Sequence, residues 1–245
     1  MTELKKITLE NCARLLYFRG QVTTEQLGDV LARGKAQEKR LYALRQSGGS
    51  RRVQSGNADI ISPAELIASF NLEPPGMPGR FLSEDMITEA IAAAVGMPYL
   101  KIDPLKLDLG VVTSHIPRPF ALKNLIVAVA ESGGVTTIAV ADPFMDGTIR
   151  ELASARQLKV TCVLSSKSDI LKILREFYGF RASVMAAEAE SSTTVDLGNL
   201  EQLFKMKGHQ EIESNDKHVI SAVDFLLNYA FEQHASDIHI EPKRE

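Results

Sequence analysis

The 245-residue chain has no tryptophan and only two cysteines, and aromatic residues make up 6% of it. Cys12 and Cys162 lie far apart with no CxxC partner, which argues against a disulfide framework and a zinc site. We expect both to be small buried apolar residues. No apolar run approaches the roughly 18–20 residues that a transmembrane helix needs. Residues 1–6 lack the apolar core of a signal peptide, so a cytoplasmic protein is favoured.

Catalytic motifs are missing from the sequence as well. No G-x-x-x-x-G-K-S/T loop occurs, although backbone N–H groups and a lysine in that loop are what hold nucleotide phosphates. Serine-hydrolase, metalloprotease and kinase motifs are also absent. His239 and Glu241 stand two positions apart, but the P-C-x-x-C partner of a zinc deaminase is missing. We predict no catalytic residue, no cofactor-binding residue and no metal ligand in this chain.

The composition is that of an ordinary globular protein, but its charge is unevenly distributed. Residues 1–60 hold 11 lysines and arginines against 6 acidic residues, whereas residues 186–216 hold 2 against 7. A basic cluster of this kind can face nucleic acid, anionic lipid or an acidic partner. No aromatic residues interleave its charges, so a solvated helix face is favoured over nucleic-acid binding. The cluster consists of Arg33, Lys35, Lys39, Arg40, Arg45, Arg51 and Arg52.

Residues 1–46 are predicted to form an N-terminal helical unit. Leucines at helical spacing lead to Gly20, which ends a first helix. Thr23 and Gln26 then form a capping box that begins a second helix. Residues 47–59 are rich in serine and glycine and are predicted to be a flexible loop.

Residues 60–182 are predicted to form an α+β domain that opens with two helices. Ser62 begins the first as part of a capping box, and Ser83 caps the second. The connector 74–79 between them is rich in proline and glycine, and Gly96 ends the second helix.

The rest of this domain is predicted to be a small mixed sheet with packed helices. Gly133 and Gly134 mark a hairpin turn between the first two strands. One helix is expected from Asp142 to about Arg156, and another from Ser166 to Gly179. The strands are expected at 125–129, 135–140 and 159–164, where β-branched residues are concentrated.

The C-terminal quarter is predicted to be a linker followed by the start of a further α/β domain. Residues 183–216 are rich in Ala, Ser, Thr and Glu, which is typical of a linker. Within 217–245, a helix to about Gln233 precedes a strand in which Ile238 and Ile240 alternate with polar residues. One helix and one strand cannot form a core, so the sequence is expected to be a fragment.

Two segments resemble the secretion-superfamily ATPases, the hexameric engines of type II secretion and type IV pilus assembly. The string A-S-D-I-H-I-E-P at 235–242 resembles the opening of their motor region. The stretch over about 80–180, which includes F-L-S-E-D and G-M-P-Y, resembles their N-terminal domain. The motif residues of the first segment are Ser236, Asp237, His239 and Glu241.

The resemblance implies the N-terminal regulatory and docking region of a cytoplasmic type II secretion ATPase. Such a protein couples ATP hydrolysis to pseudopilus assembly and protein export, with ATP and Mg²⁺ bound in its motor region. The implied assembly is a hexamer on the inner membrane, held there by the secretion platform or its cytoplasmic domain. This part of the chain is expected to be non-catalytic, and the alternative within the family is the N-terminal region of a type IV pilus assembly ATPase.

A further alternative is a receptor domain for cyclic di-GMP, which some relatives bind through two copies of a motif that begins R-L-G and ends in Gln. The apolar positions that pack a helical hairpin are kept here. However, residues 11–13 replace R-L-G, Gly34 replaces the first Gln, and Ala94 replaces the second. The departures fall on ligand-contacting positions, which disfavours this alternative. The remaining candidates for phosphate contact are Arg14, Arg19 and Arg80.

Overall fold

This computed structural model describes residues 6–47, 59–191 and 236–239, together with Leu227 and Ala230. Residues 6–47 and 59–191 form eight α-helices and three β-strands. The helices are α1 (Leu9–Phe18), α2 (Thr24–Ser47), α3 (Pro63–Ala68), α4 (Glu84–Val95), α5 (Leu109–Ser114), α6 (Arg118–Asn124), α7 (Asp146–Arg156) and α8 (Lys167–Ser191). The strands are β1 (Ile126–Ser132), β2 (Val135–Val140) and β3 (Lys159–Leu164). The chain divides into two units, Met1–Arg175 and Glu176–Glu245, and the contacts discussed below lie within the first.

Helices α1 to α4 pack against one another, and their apolar faces supply one part of the core. Leu16, Val30, Ile67 and Ile87 are each no more than 1% exposed, and they come from the four different helices. Burial of an aliphatic side chain contributes roughly 1.5–3 kcal/mol, so these residues hold the helices together.

The side-chain caps that the sequence predicts are present at the start of α2, α3 and α4. Thr23 Oγ1 accepts from Gln26 N at 3.1 Å, and Thr23 N donates to Gln26 Oε1 at 2.8 Å. Ser62 and Glu65 form the same reciprocal pair at the start of α3. Ser83 accepts from a backbone N–H in the first turn of α4. Both capping boxes and the Ser83 cap are therefore confirmed.

The sheet has the strand order β1-β2-β3 and is mixed, as predicted. Strands β1 and β2 are antiparallel and joined at Gly133 and Gly134, whose φ angles of +58° and +73° suit glycine in a tight hairpin turn. Strand β3 runs parallel to β2, which it reaches through α7. Ile126 and Ile138 are fully buried in this sheet. The observed fold is therefore of the predicted α+β class.

A short extended segment connects the end of α4 to the end of β3. Leu164 N donates to Pro98 O at 2.8 Å, and Leu100 N donates to Leu164 O at 2.9 Å. Ser165 Oγ adds a bond of 2.7 Å to Leu100 O. These bonds fix residues 98–100 beside the sheet and thereby place Tyr99 and Lys101.

Two predicted helix boundaries are wrong. Helix α7 begins at Asp146 instead of Asp142, because Asp142 Oδ1 accepts from Phe144 N at 2.9 Å and holds a local turn. Helix α8 does not end at Gly179 but continues to Ser191. An interior glycine costs a helix only about 1 kcal/mol, and the alanine-rich sequence that follows favours helix.

Several other predicted elements differ from the structure or concern residues that it does not describe. Residues 183–191 of the predicted linker are helical, and α5 and α6 occupy a stretch for which no helix was predicted. Their signals are Asp108, which caps α5, and Pro119 in the first turn of α6. Most of the loop 47–59 and the remainder of the linker lie outside the described residues. Within the described ranges, no helix combines the length and the apolar character needed to cross a membrane.

The two cysteines have different environments. Cys12 is fully buried, as expected, and burial raises the pKa of its thiol to about 12. Cys162 is only half-buried, and burial followed by the charge of Asp146 raises its pKa. The expectation that Cys162 is buried is thus wrong, because β3 is the edge strand of the sheet and its outer edge is bridged, among the described residues, only at Leu164, by the segment around Tyr99.

The predicted C-terminal strand is not observed in the residues that the structure describes. Asp237, Ile238 and His239 are in neither helix nor strand, and Ile238 is 44% exposed. A strand needs a hydrogen-bonded neighbour, and the described part of the chain places none beside these residues. Leu227 and Ala230 are helical, as predicted for this segment, whereas Glu241 lies outside the described residues.

Candidate functional site: two charged clusters at the start of α8

The first turns of α4 and α8 meet around the ammonium group of Lys101. Lys101 Nζ donates to Asp85 Oδ2 at 2.7 Å and to Asp169 Oδ1 at 2.8 Å. Tyr99 OH donates to the other oxygen of Asp85 at 3.1 Å. Beside them, Ser168 Oγ donates to the carboxylate of Glu84. We call these residues the Lys101 cluster: Glu84, Asp85, Tyr99, Lys101, Ser168 and Asp169.

Local sequence explains how the cluster is assembled. Tyr99 and Lys101 are two positions apart in an extended segment, so their side chains lie on the same side of the backbone. Asp85 and Asp169 each lie in the first turn of a helix, where a carboxylate interacts favourably with the helix dipole. The cluster therefore joins two helix starts through a cation that belongs to neither helix.

The electrostatics of the cluster favour the charged forms of its ion pair. Burial opposes ionisation of Asp85, but hydrogen bonds from Lys101 and Ser166 hold its pKa below the usual range. Burial likewise acts to lower the pKa of Lys101, but hydrogen bonds to Asp169 and Asp85 raise it above the usual range. Burial and the charge of Asp85 raise the pKa of Tyr99, which keeps its hydroxyl protonated as a donor.

A second cluster surrounds Lys167, the first residue of α8, which is only 4% exposed. Its Nζ donates to the carbonyl oxygen of Ile60 and lies 4.0 Å from Glu65 Oε2. Glu65 is also ion-paired with Arg45 near the end of α2. Burial, with the repulsion of Arg45 next, lowers the pKa of Lys167 from 10.5 to about 8. The Lys167 cluster (Arg45, Ile60, Glu65 and Lys167) thus connects α8 to α2 and α3.

A small cavity lies between the two clusters. It has a volume of about 30 Å³, and its lining includes the polar residues Ser62, Glu84, Thr88, Ser165 and Lys167. Such a volume holds one or two water molecules and is far too small for a nucleotide.

The chemistry available at these clusters is electrostatic. Among the described residues, no group of three or more His, Cys, Asp or Glu side chains could hold a metal ion. Sequence reasoning identified Ser83 as the cap of α4, but it missed Lys101 and Lys167. The signal for Lys167 was its position directly after the helix cap Ser166, which placed it at the start of α8 without indicating that it is buried.

The three arginines predicted as phosphate contacts lie on exposed surfaces apart from these clusters. Arg14 is ion-paired with Glu10 at 2.8 Å, and Arg19 is the C-cap of α1. Five residues of helix separate their directions by about 140°, so α1 does not bring them together. Arg80 lies in the loop before α4. Their role as ligand contacts stays a prediction.

Gly34, where the cyclic di-GMP motif has Gln, is buried at a close approach of α2 to α1. A Cβ at position 34 would overlap Leu9 Cδ2. Leu9 Cδ2 is the end of a half-buried side chain that can move aside, so we expect Gly34→Gln to change the free energy of unfolding by less than about 1 kcal/mol. The substitution should create no binding of cyclic di-GMP. Urea denaturation and calorimetry with cyclic di-GMP measure the two effects.

Gly28 provides the matched control for this prediction. It lies on the same helix, and no atom lies within 4 Å of the position that a Cβ would occupy there. Gly28→Gln should therefore raise the free energy of unfolding by up to about 1 kcal/mol. A loss of more than about 1 kcal/mol for Gly34→Gln alone would show that Leu9 cannot move aside.

Comparison with known proteins places the chain among a set of related sequences. Residues 95–184 match the MshEN domain family. The chain is 32% identical over 184 residues to the type IV pilus assembly ATPase TfpB of Acinetobacter baylyi, covering 75% of this chain and 32% of that protein. It is 24% identical over 196 residues to the type II secretion system protein E of Xanthomonas campestris pv. campestris, covering 76% and 33%. The chain thus spans about a third of the length of these relatives.

Two solved structures were also matched. The structure of MshE with cdg has a TM-score of 0.40 at 18% identity, and the match covers 68% of this chain and 98% of that one. The N-terminal domain of XpsE has a TM-score of 0.37 at 17% identity, with 69% and 94% covered.

Proposed function

We propose that this chain is the regulatory and docking region of a type IV pilus or type II secretion ATPase, because residues 95–184 match the MshEN domain family and the chain is similar to the N-terminal regions of such ATPases. The proposed role is to connect a partner at the inner membrane with the ATP-hydrolysing motor. In this proposal ATP and Mg²⁺ bind in the motor, the full-length protein is a hexamer, and the protein is cytoplasmic and peripheral to the membrane.

Helix α8 is the feature that best supports this role. Its first turn is held by two charged clusters, one joined to α4 and the other to α2 and α3. The whole helix has 25 residues and is about 37 Å long at 1.5 Å per residue. A helix fixed at one end by packed neighbours changes position when those neighbours move, which suits transmission of a docking event.

Type II secretion, with pseudopilus assembly and protein export, is one candidate pathway. Type IV pilus assembly is the other, and it is the one that we propose, because the identity to TfpB is higher, 32% against 24%. Deletion of the gene distinguishes the two, since the first predicts loss of exported protein from the culture medium and the second predicts loss of surface pili.

Replacement of Lys101 with methionine in the full-length protein tests the coupling role. Without the ammonium group, Asp85 and Asp169 face each other without their shared cation. We expect pseudopilus or pilus assembly to fall at least about tenfold, while ATP hydrolysis stays within about twofold. The free energy of unfolding should fall by only about 1 kcal/mol, because Lys101 is 57% exposed.

Lys106→Met is the matched control, since its side chain is 81% exposed and belongs to neither cluster. It should leave assembly, hydrolysis and stability unchanged. Normal assembly by a folded Lys101→Met protein would refute the coupling role.

A further inference from the structure

Three cations in the middle of α2 have no carboxylate partner in the described part of the chain. Lys35, Lys39 and Arg40 are exposed and form no ion pair there. By contrast, Arg33 is paired with Asp29 at 2.7 Å, and Arg45 is paired with Glu65. The basic cluster of the sequence therefore contains both matched and unmatched charges.

The unmatched cations lie on the side of α2 that faces away from its neighbours. Val30 and Gly34 are buried on the inner side, where α2 packs against α1 and α3. At about 100° per residue, Lys39 lies nearly opposite the buried side, and Lys35 and Arg40 flank the outer surface on its two edges, about 140° apart. Three exposed alanines, Ala32, Ala36 and Ala43, lie between and around these cations. We call the surface formed by the three cations and the three alanines the α2 outer face.

The stability of α2 does not account for these charges. Lys35 and Lys39 are four positions apart, and a like-charge pair at this spacing destabilises a helix by about 0.2–0.5 kcal/mol. The helix dipole favours cations only in the last turn, whereas α2 continues to Ser47. A partner that supplies negative charge would remove the repulsion.

We propose that the α2 outer face is a docking surface for an acidic helical segment of a partner protein. Carboxylates at i, i+4 spacing on that segment would pair with Lys35 and Lys39, and a further carboxylate would pair with Arg40. Alanines between the cations let a second helix approach to about 8 Å. Leu31 and Leu44, 39% and 58% exposed, border the surface and supply apolar contact.

Charge and shape together favour this partner over a membrane or a nucleic acid. A helix that lies in a membrane interface buries large apolar residues between its cations, and this face has alanine there. Binding of single-stranded nucleic acid relies on aromatic side chains for base stacking, and the described α2 outer face has none. The inference depends on the proposed docking function and specifies the chemistry of the partner.

The test uses the 245-residue chain and a synthetic helical peptide of about 20 residues with glutamates at i, i+4 along an alanine–leucine seam. We expect binding that weakens with added salt. The triple variant Lys35→Glu, Lys39→Glu, Arg40→Glu should weaken it at least about tenfold. The matched control, Lys106→Glu, Lys123→Glu, Lys159→Glu, has the same change in net charge at exposed positions elsewhere and should change binding less than about twofold.

Several outcomes would overturn the proposal. The first is that the acidic peptide does not bind to the chain. The second is that both triple variants lose the same amount of affinity for the peptide. The third is that a peptide with glutamine in place of glutamate binds as tightly as the acidic one. Preferential binding to vesicles of about 30% phosphatidylglycerol, lost in the α2 variant, would assign the face to lipid instead. Circular dichroism verifies helix content, and the neutral variant Lys35→Gln, Lys39→Gln, Arg40→Gln provides a second measurement if the charge reversal unfolds the chain.

Assembly assays with the full-length protein separate this inference from the proposed function. If Lys101→Met blocks assembly and the α2 triple variant does not, the docking face is wrong and the coupling role stands. If neither variant affects assembly, both are wrong. Loss of assembly in both variants, with ATP hydrolysis retained, supports both.

Discussion

Between pH 8 and pH 10.5, the free energy of unfolding of the wild-type chain should rise by about 3 kcal/mol relative to that of a Lys167→Met variant. Burial and then Arg45 lower the pKa of Lys167 from 10.5 to about 8 in the folded chain. In this window the unfolded chain therefore binds a proton that the folded chain lacks, so stability increases with pH. Urea denaturation at a series of pH values measures the difference.

Lys106→Met is the control for this pH profile, because its side chain is 81% exposed. Its free energy of unfolding should follow the wild-type curve across the same window. Parallel curves for wild type and Lys167→Met would show that Lys167 is not held in a costly charged state. The opposite slope would mean that the charges of Glu84 and Asp59 outweigh burial and raise the pKa of Lys167.

Truncation of Leu164 to alanine should lower the free energy of unfolding by about 2–5 kcal/mol. Leu164 is 1% exposed, ends β3 and lines the cavity beside Lys167. Removing its side chain enlarges that cavity and loses apolar burial at the point where the extended segment joins the sheet. Chemical denaturation monitored by far-UV circular dichroism measures this loss.

Val163→Ala is the matched control, since Val163 is the preceding residue on β3, points to the other face and is only half-buried. Its loss should be about 1 kcal/mol. Equal losses at the two positions would contradict the assignment of Leu164 to the core.

Elements whose signals are local in the chain could be predicted from sequence. The capping boxes at Thr23 and Ser62 depend on residues three positions apart, and the hairpin depends on two adjacent glycines. Strand β3 was predicted with its observed bounds because β-branched residues are concentrated there. Local geometry determines each of these features, so tertiary contacts were not needed to find them.

Predictions of helix ends and strands were wrong where the local sequence only weakly favours one conformation. Gly179 is a helix-ending residue in isolation, but the following alanines let α8 continue. The strand expected around Ile238 has the right alternation of polar and apolar residues, yet no neighbouring strand is present in the described part of the chain. The alternation of polar and apolar residues indicates that a segment is able to form a strand, but the strand forms only where another strand lies beside it.

The charged clusters could not be predicted from the sequence pattern. Lys101 contacts Asp169, which is 68 positions away, and Lys167 contacts Ile60, which is 107 positions away. Neither lysine differs from a surface lysine in its sequence context. Burial and pairing at such separations depend on how α4, α8 and the sheet pack.

The sequence by itself determined the family resemblance, the α+β class and the starts of α2, α3, α4 and α8, because each follows from short strings or regular spacing. It also located the basic cluster, of which Arg33, Lys35, Lys39, Arg40 and Arg45 lie in α2. Only the tertiary structure decided that Arg45 of α2 has a carboxylate partner in Glu65 of α3, while Lys35, Lys39 and Arg40 have none among the described residues. The physical reason is that an ion pair needs two charges within about 4 Å, and the packing of the helices sets that distance.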